Sequence, residues 1–506
     1  MDNIENNRRI AKNATFLFFR MFLILGVSLY STRIVLEALG FEDYGIYNVV
    51  GGVIFMMTFL TSSLSSATQR FLSFELGKKD YLQLNKVFSM SINIHIILAV
   101  FIFVLAETLG IWFLDSKMNI PIDRVDAANW VYQFSVFTFI INILIVPYNA
   151  TIISQERMKI FAYISIFEAI LKLIFVFILL WTGGDKLETY ALLIFLVSIT
   201  NFIIYITYCN RNFPSSTYVF IWDKKLFKLL INFSGWNLFG GLAGVSKGQG
   251  VNLLLNVFFG PTVNAARGLS FQISGAVNMF VANFQTAINP QIIKSYANND
   301  IKYMHQLIFQ GSKFSFFLLY VCSLPILLEL DTVLLFLLKN TPEYTVIFTK
   351  LAIVNILIDS LSGTLMTGSQ ASGNIKKYQA TLGSLLILNI PFSYVLLYMG
   401  YPPEHTLYVS IFISVIAMYI RVLFLRALIN LSGKDYFFNV IIPVILVLIF
   451  SLIFPFILKN YFFTNTYRPI IVILSCIISS FGAIYFIGLN HSEKTQLKQI
   501  IKKYTK

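Results

Sequence analysis

About fourteen stretches of this chain run for some 20 residues with almost no charge, and that pattern leaves few folds other than one threaded repeatedly through a membrane. They lie near residues 13 to 38, 44 to 68, 87 to 112, 127 to 152, 159 to 181, 188 to 209, 228 to 258, 263 to 288, 306 to 336, 345 to 371, 378 to 400, 406 to 429, 437 to 458 and 468 to 489. Continuous apolar runs of this length read as helices, because a spanning barrel would show short alternating segments instead. Only 12% of the residues are charged, against about 25% in a soluble domain, so most of the surface must face lipid. The expected fold is an all-α polytopic membrane protein.

The basic residues set an orientation. With the amino terminus on the cytoplasmic side, about 24 Lys and Arg fall in inside segments and roughly six in the alternate loops, a strong positive-inside bias. Arg8, Arg9, Arg70, Lys78, Lys79, Arg157, Lys224, Lys225, Lys376, Arg426, Lys434 and the tail from Lys494 to Lys506 are all on the inner side. Both termini are therefore expected in the cytoplasm. The net charge of +14 is spread over these short loops, which fits topology and not nucleic-acid binding. The first span is too long for the apolar core of a signal peptide and has no small-residue cleavage site, so it is expected to stay in place.

Catalysis finds little support. No glycine loop followed by Lys and Ser or Thr is present to cradle a nucleotide. His95, His305, His405 and His491 are scattered, and Cys209, Cys322 and Cys476 show no metal or redox spacing. No cofactor or metal is expected, and the chain does not read as an enzyme.

Shifting the sequence by about 220 residues superposes Gly40 on Gly260, Asp80 on Asp300, Phe19 on Phe239 and Leu98 on Leu318, and spans fall on spans. Each repeat holds six spans, an even number, so both halves enter the membrane from the same side and are parallel. The expected organisation is an N-terminal six-helix lobe over residues 1–210, a cytoplasmic linker over 211–227, a C-terminal six-helix lobe over 228–430, and a final helix pair with a basic tail over 431–506. Two such lobes would enclose a central cavity.

Polar side chains inside the spans form stripes. Arg267, Ser274, Asn278, Gln285 and Asn289 recur at steps of seven, four, seven and four, which sets them on one helix face. Gly and Ser at such positions also serve to pack membrane helices. A long cation is different: at membrane depth it costs roughly 2.5 to 3.5 kcal/mol and must find water, an anion or a partner. Arg20 lies in the first span and Lys247 in the seventh, and with Arg267 they read as the lining of a cationic cavity that Asn278 and Gln285 extend. By helix rise, Arg20 sits roughly 10 Å from the inner end and Arg267 roughly 8 Å from the outer end. That ladder of positive charge suits an anionic cargo, phosphate above all, which guanidinium groups grip through paired hydrogen bonds.

Of the acidic residues, Glu168 stands four before Lys172 and can pair with it locally. Asp359 has no evident local partner. These two are the candidate sites for a coupling proton or sodium ion. Glu107, Glu329 and Asp331 lie near span ends, within reach of the interface, while Lys313 and Arg421 receive no assignment.

The opening RMFLILGVSLYSTRIVLEALGFEDYGIYNVV and the segment VNAARGLSFQISGAVNMFVANFQTAINPQIIKSYANND resemble bacterial polysaccharide-biosynthesis flippases of the multidrug, oligosaccharidyl-lipid and polysaccharide exporter superfamily. The resemblance covers essentially the whole chain. It implies two lobes that alternate between inward-open and outward-open states and carry an undecaprenyl-diphosphate-linked oligosaccharide across the bacterial cytoplasmic (inner) membrane. Surface polysaccharide such as O-antigen or capsule would be the product, with other polysaccharide-assembly proteins as possible partners. In those relatives basic residues of the first, second and eighth spans line the cavity; Arg20 and Arg267 match the first and eighth, and the second span here has no interior Arg. A cation-coupled multidrug exporter of the same superfamily is the alternative, followed by a membrane sugar polymerase or ligase. Drug-exporting relatives carry an acidic residue in the first span, where this chain has Arg20.

Overall fold

The computed structural model describes residues 3–55, 58–118, 120–337, 342–461 and 467–495. Among them there is no β-strand, and helices account for nearly all of these residues. The fold is the expected all-α membrane architecture. Most of the basic tail, residues 496–506, lies outside the described residues.

All fourteen apolar stretches fall on helices over their described residues, but only eleven helices among the described residues are long and apolar enough to cross a membrane. The stretches at 44–68, 228–258 and 263–288 are missing from that set. In the first, residues 56–57 lie outside the described residues, and its described parts belong to Asn3–Phe55 and to the serine- and threonine-rich helix Thr58–Lys78. The others form Lys224–Val245 with Val251–Phe259, and Pro261–Ala297. These helices, with the turn Ser246–Gly250 that joins the first two, hold Asn237, Lys247, Gln249, Asn252, Arg267, Gln272 and Asn278, so the polar residues that mark them as candidates also lower their apolarity.

The chain folds as two compact units, one of residues 12–238 and one of residues 1–11 with 239–506. Backbone features recur between them 220 residues apart. Gly40 (φ 74°, ψ 177°) breaks the helix Asn3–Phe55, and Gly260 (φ 78°, ψ −171°) separates Val251–Phe259 from Pro261–Ala297. Lys79 and Asn299 both sit at φ 59°. The following aspartates cap the next helices: Asp80 Oδ1 accepts from the Gln83 N–H at 2.9 Å, and Asp300 Oδ1 from the Tyr303 N–H at 3.1 Å. An N-cap carboxylate satisfies a donor that the first helical turn leaves unpaired.

The two glycine breaks occupy a region of backbone space open essentially to glycine alone. A Cβ at either position would meet no atom within 4 Å, so substitution carries only the backbone cost. Gly40→Ala and Gly260→Ala should each lower stability by about 1–3 kcal/mol, seen as a fall in unfolding temperature of the purified protein; an unchanged temperature would mean the breaks are not needed.

The unit of residues 12–238 has an apolar core built on Val35, Val50, Ala128, Val131, Ile143 and Leu187. Three of its helix ends meet at an ionic clasp. Arg124 donates through Nε to Asp43 Oδ1 at 2.8 Å, through a second nitrogen to the other oxygen of Asp43, and to both oxygens of Asp185. Asp185 also caps the helix Lys186–Asn212, accepting from the Leu187 N–H at 2.9 Å and the Glu188 N–H at 3.2 Å. Burial would raise the Asp185 carboxyl, but the hydrogen bonds from Arg124 and the helix amides hold it below the ordinary carboxylate value.

In the other unit the helix Ile301–Leu337 packs against Arg468–Ala483 and Ile442–Tyr461. Two ion pairs fasten it. Lys313 Nζ lies 2.7 Å from Glu493 Oε2, with both side chains only 4% exposed, so Lys313 acquires a structural role that its sequence context did not suggest. Glu329, expected at the interface, is instead buried and paired with Arg468 at 3.2 Å. A proline four residues earlier and a non-helical backbone at Glu329 bend the helix there and turn the carboxylate inward.

Candidate functional site

The unit of residues 1–11 with 239–506 contains a cavity of about 270 Å³ lined by Lys247, Arg267, Asn278, Asn355 and Asp359 together with small and hydroxyl side chains. Local sequence explains how Lys247 reaches it. The stretch SKGQG forms a π-turn, Ser246–Gly250, between Lys224–Val245 and Val251–Phe259. Such turns widen a helix by one residue and recur at functional sites. Glycine makes the close packing possible: a Cβ on Gly250 would stand 2.5 Å from Ile390 Cδ1.

Lys247 Nζ donates to Ser414 Oγ at 2.7 Å and lies 3.6 Å from Asp359 Oδ2. Ser414 Oγ donates to Asn355 Oδ1 at 3.0 Å, and Asn355 Nδ2 donates to Asp359 Oδ2 at 3.1 Å. The four side chains close a ring. Asp359 therefore has a local partner one helical turn before it, Asn355, and a cationic one in Lys247. Its side chain remains 42% exposed.

Arg267 presents a different situation. It is 3% exposed, its guanidinium rests on the Phe271 ring at 4.8 Å, and among the described residues it has no hydrogen-bond or ion-pair partner. The ring face offsets only part of the cost of burying the charge. Arg421, from the helix His405–Ile429, donates to Ser362 Oγ at 3.1 Å and, like Arg267, stands within electrostatic reach of Lys247. Of these three neighbouring cations, only Lys247 is paired with a carboxylate among the described residues.

The unit of residues 12–238 has its own cavity, of about 410 Å³, lined by Arg20, Ser28, Ser31, Tyr44, Tyr47 and Glu168 among others. The Arg20 guanidinium lies 4.4 Å over the Phe161 ring. Glu168 is taken by Lys172 at 2.7 Å and by the Asn201 amide at 2.9 Å, so the expected local pair forms and gains a third member.

The residues singled out from sequence are thus divided. Lys247, Arg267, Asn278 and Asp359 share one cavity, and Arg20 and Glu168 line another. Gln285 lines neither: its amide donates to Ser315 Oγ at 3.4 Å and fills the space over Gly363, where a Cβ would come within 2.1 Å. The echo of Arg20 at Lys247 is also out of register. A shift of 220 carries Arg20 to Gly240 and Val27 to Lys247, so the two cations occupy the same helix face two turns apart. Asn355 and Ser414 escaped the sequence reading, and Arg421 was named in it without an assignment. The signal for Arg421 was a stripe of Ser410, Ser414 and Arg421 at steps of four and seven.

Polar cavities within a bundle of long apolar helices define a polytopic membrane protein with hydrophilic sites at membrane depth, and solved structures agree on the fold. The chain is similar to a structure of MATE in complex with MaD3S, with a TM-score of 0.73 at 12% identity over 85% of this chain and 99% of that one. It is likewise similar to the outward-facing conformation of a multidrug resistance MATE family transporter of the MOP superfamily (0.72, 13%, covering 85% and 98%). A third neighbour is a MOP superfamily transporter from Pyrococcus furiosus, described as having a binding pocket of reverse polarity that suggests a different function (0.68, 13%, covering 85% and 98%). No curated protein matches the chain in sequence. The sequence profile of the polysaccharide biosynthesis proteins matches residues 10–296, and the chain belongs to that family.

Proposed function

We propose that this exporter carries a lipid-diphosphate-linked oligosaccharide from the cytoplasmic to the outer leaflet of the bacterial cytoplasmic membrane by alternating access, for assembly of surface polysaccharide. Both termini are placed in the cytoplasm on the strength of the loop charges. The observation that carries the reading is Arg267, a buried guanidinium without a counter-ion among the described residues. Such a group is retained at this cost when an anion supplies the missing partner, and phosphate oxygens match its planar fork. Lys247 and Arg421 add positive charge close by, enough to favour a diphosphate over a neutral headgroup.

Asp359 is the group we assign to ion coupling. A cargo phosphate that engages Lys247 takes away its counter-ion, leaving an open carboxylate able to hold a proton or sodium ion. Glu168 is already satisfied by Lys172 and Asn201, and we assign it no coupling role. Arg20, in the other unit, attracts the same anionic cargo along its route.

Headgroup selectivity of the purified protein tests this reading. Undecaprenyl diphosphate should bind about tenfold more tightly than undecaprenyl monophosphate, the effect of about one additional charge-assisted contact, and both should bind more tightly than ethidium. Tighter binding of the cationic dye would favour drug export instead.

A further inference from the structure

A further cleft shares no lining residue with either cavity. It measures about 850 Å³, within the range of ligand sites, and runs between the last three turns of His405–Ile429 and the chain that follows through Phe437–Ile441. One wall is apolar and open: Tyr419, Leu423 and Phe437 are 64%, 46% and 48% exposed. The end of the cleft is basic. Asn430, in a left-handed conformation at φ 56°, ends the helix and turns the chain, and Arg426 and Lys434 on either side of that turn both line the cleft. Neither has an ion-pair partner among the described residues. Asp435 follows Lys434 but does not line the cleft, so the local balance is two cations against one neighbouring carboxylate.

We propose that this cleft holds a resident anionic glycerophospholipid of the bilayer. Its phosphodiester sits between Arg426 and Lys434, and one acyl chain lies along Tyr419, Leu423 and Phe437. Basic pockets at the ends of membrane helices recognise lipid headgroups in this way. Charge separates this occupant from the exported cargo. A phosphodiester carries a single negative charge, which matches the net balance here, whereas a diphosphate matches the group of Lys247 with Arg267 and Arg421. The site also belongs to helix ends, where bilayer headgroups lie, and not to membrane depth.

The test extracts the lipids retained by the full-length protein after equilibration with vesicles of equal phosphatidylglycerol and phosphatidylcholine. Phosphatidylglycerol should be enriched on the wild-type protein. At about fivefold per cation, the double substitution Arg426→Gln with Lys434→Gln should reduce that enrichment about 25-fold, while Arg426→Lys with Lys434→Arg retains it. Equal retention of the two lipids by the wild type, or enrichment unchanged in the glutamine variant, would overturn the proposal. So would displacement of the bound phosphatidylglycerol by undecaprenyl diphosphate in the wild type, which would make the cleft part of the cargo route. Should the glutamine variant fail to fold, the wild-type ratio and the exchanged variant decide the matter. The retention measurements do not depend on what the protein carries; only the displacement rests on the proposed cargo.

Discussion

Arg267→Ala should abolish surface glycan while leaving the exporter in the membrane at least as stable as the wild type. The two halves of that expectation have one cause. A buried guanidinium with no acceptor among the described residues destabilises the cargo-free protein, so its removal relieves the fold. The same group, once it grips a phosphate, supplies charge-assisted hydrogen bonds; their loss costs about 3 kcal/mol, or over a hundredfold in affinity. Arg267→Met is expected to behave like the alanine variant and to unfold at a higher temperature. Arg267→Lys keeps the charge and loses the fork, so it should retain partial export. A purely structural Arg267 would give the opposite pattern, with stability falling as glycan is lost. Quantifying cell-surface polysaccharide alongside the unfolding temperature of each purified variant separates the two.

Lys313→Ala and Glu493→Ala should each destabilise the protein by about 3–5 kcal/mol, the cost of leaving one member of a buried pair without its partner. The pair is well made. The Lys313 ammonium lies 2.7 Å from Glu493 Oε2, which also accepts the Asn490 N–H at 2.9 Å. Replacing both residues by apolar ones of similar size, Lys313→Met with Glu493→Leu, should restore most of the loss, because the desolvation cost of both charges disappears together. Thermal unfolding of the two single variants and the double variant measures the coupling. Additive losses would show that the two charges do not act as a pair.

These cases mark what could be read from sequence. The helical membrane fold was legible because lipid forces backbone hydrogen bonding inside each apolar segment. The repeat was legible where geometry demands particular residues, as at Gly40 and Gly260 or at the capping Asp80 and Asp300. The polar helices were harder: Pro261–Ala297 and the helices around Lys247 fall short of spanning apolarity because of the residues that make their cavity. Side-chain partners across long sequence separations were not legible at all. Lys313 meets a carboxylate 180 residues away, and nothing near Glu329 in sequence announces Arg468. Arg267 was found because it lies on a stripe of polar residues at helical spacing. Gln285 shares that stripe but packs against Gly363, since a stripe identifies a helix face without saying what the face meets. Asp359 seemed isolated for a related reason: Asn355, one turn away, is neutral, and its cationic partner comes from another helix.

Transport in sealed vesicles tests the central claim most directly. Purified exporter is reconstituted with a fluorescent undecaprenyl-diphosphate oligosaccharide in one set of vesicles and with ethidium in another, under matched proton, sodium and electrical gradients. The account predicts that the lipid-linked oligosaccharide crosses the bilayer with the wild-type protein and not with Arg267→Ala, and that ethidium does not accumulate with either. Accumulation of ethidium without movement of the lipid-linked oligosaccharide would contradict it.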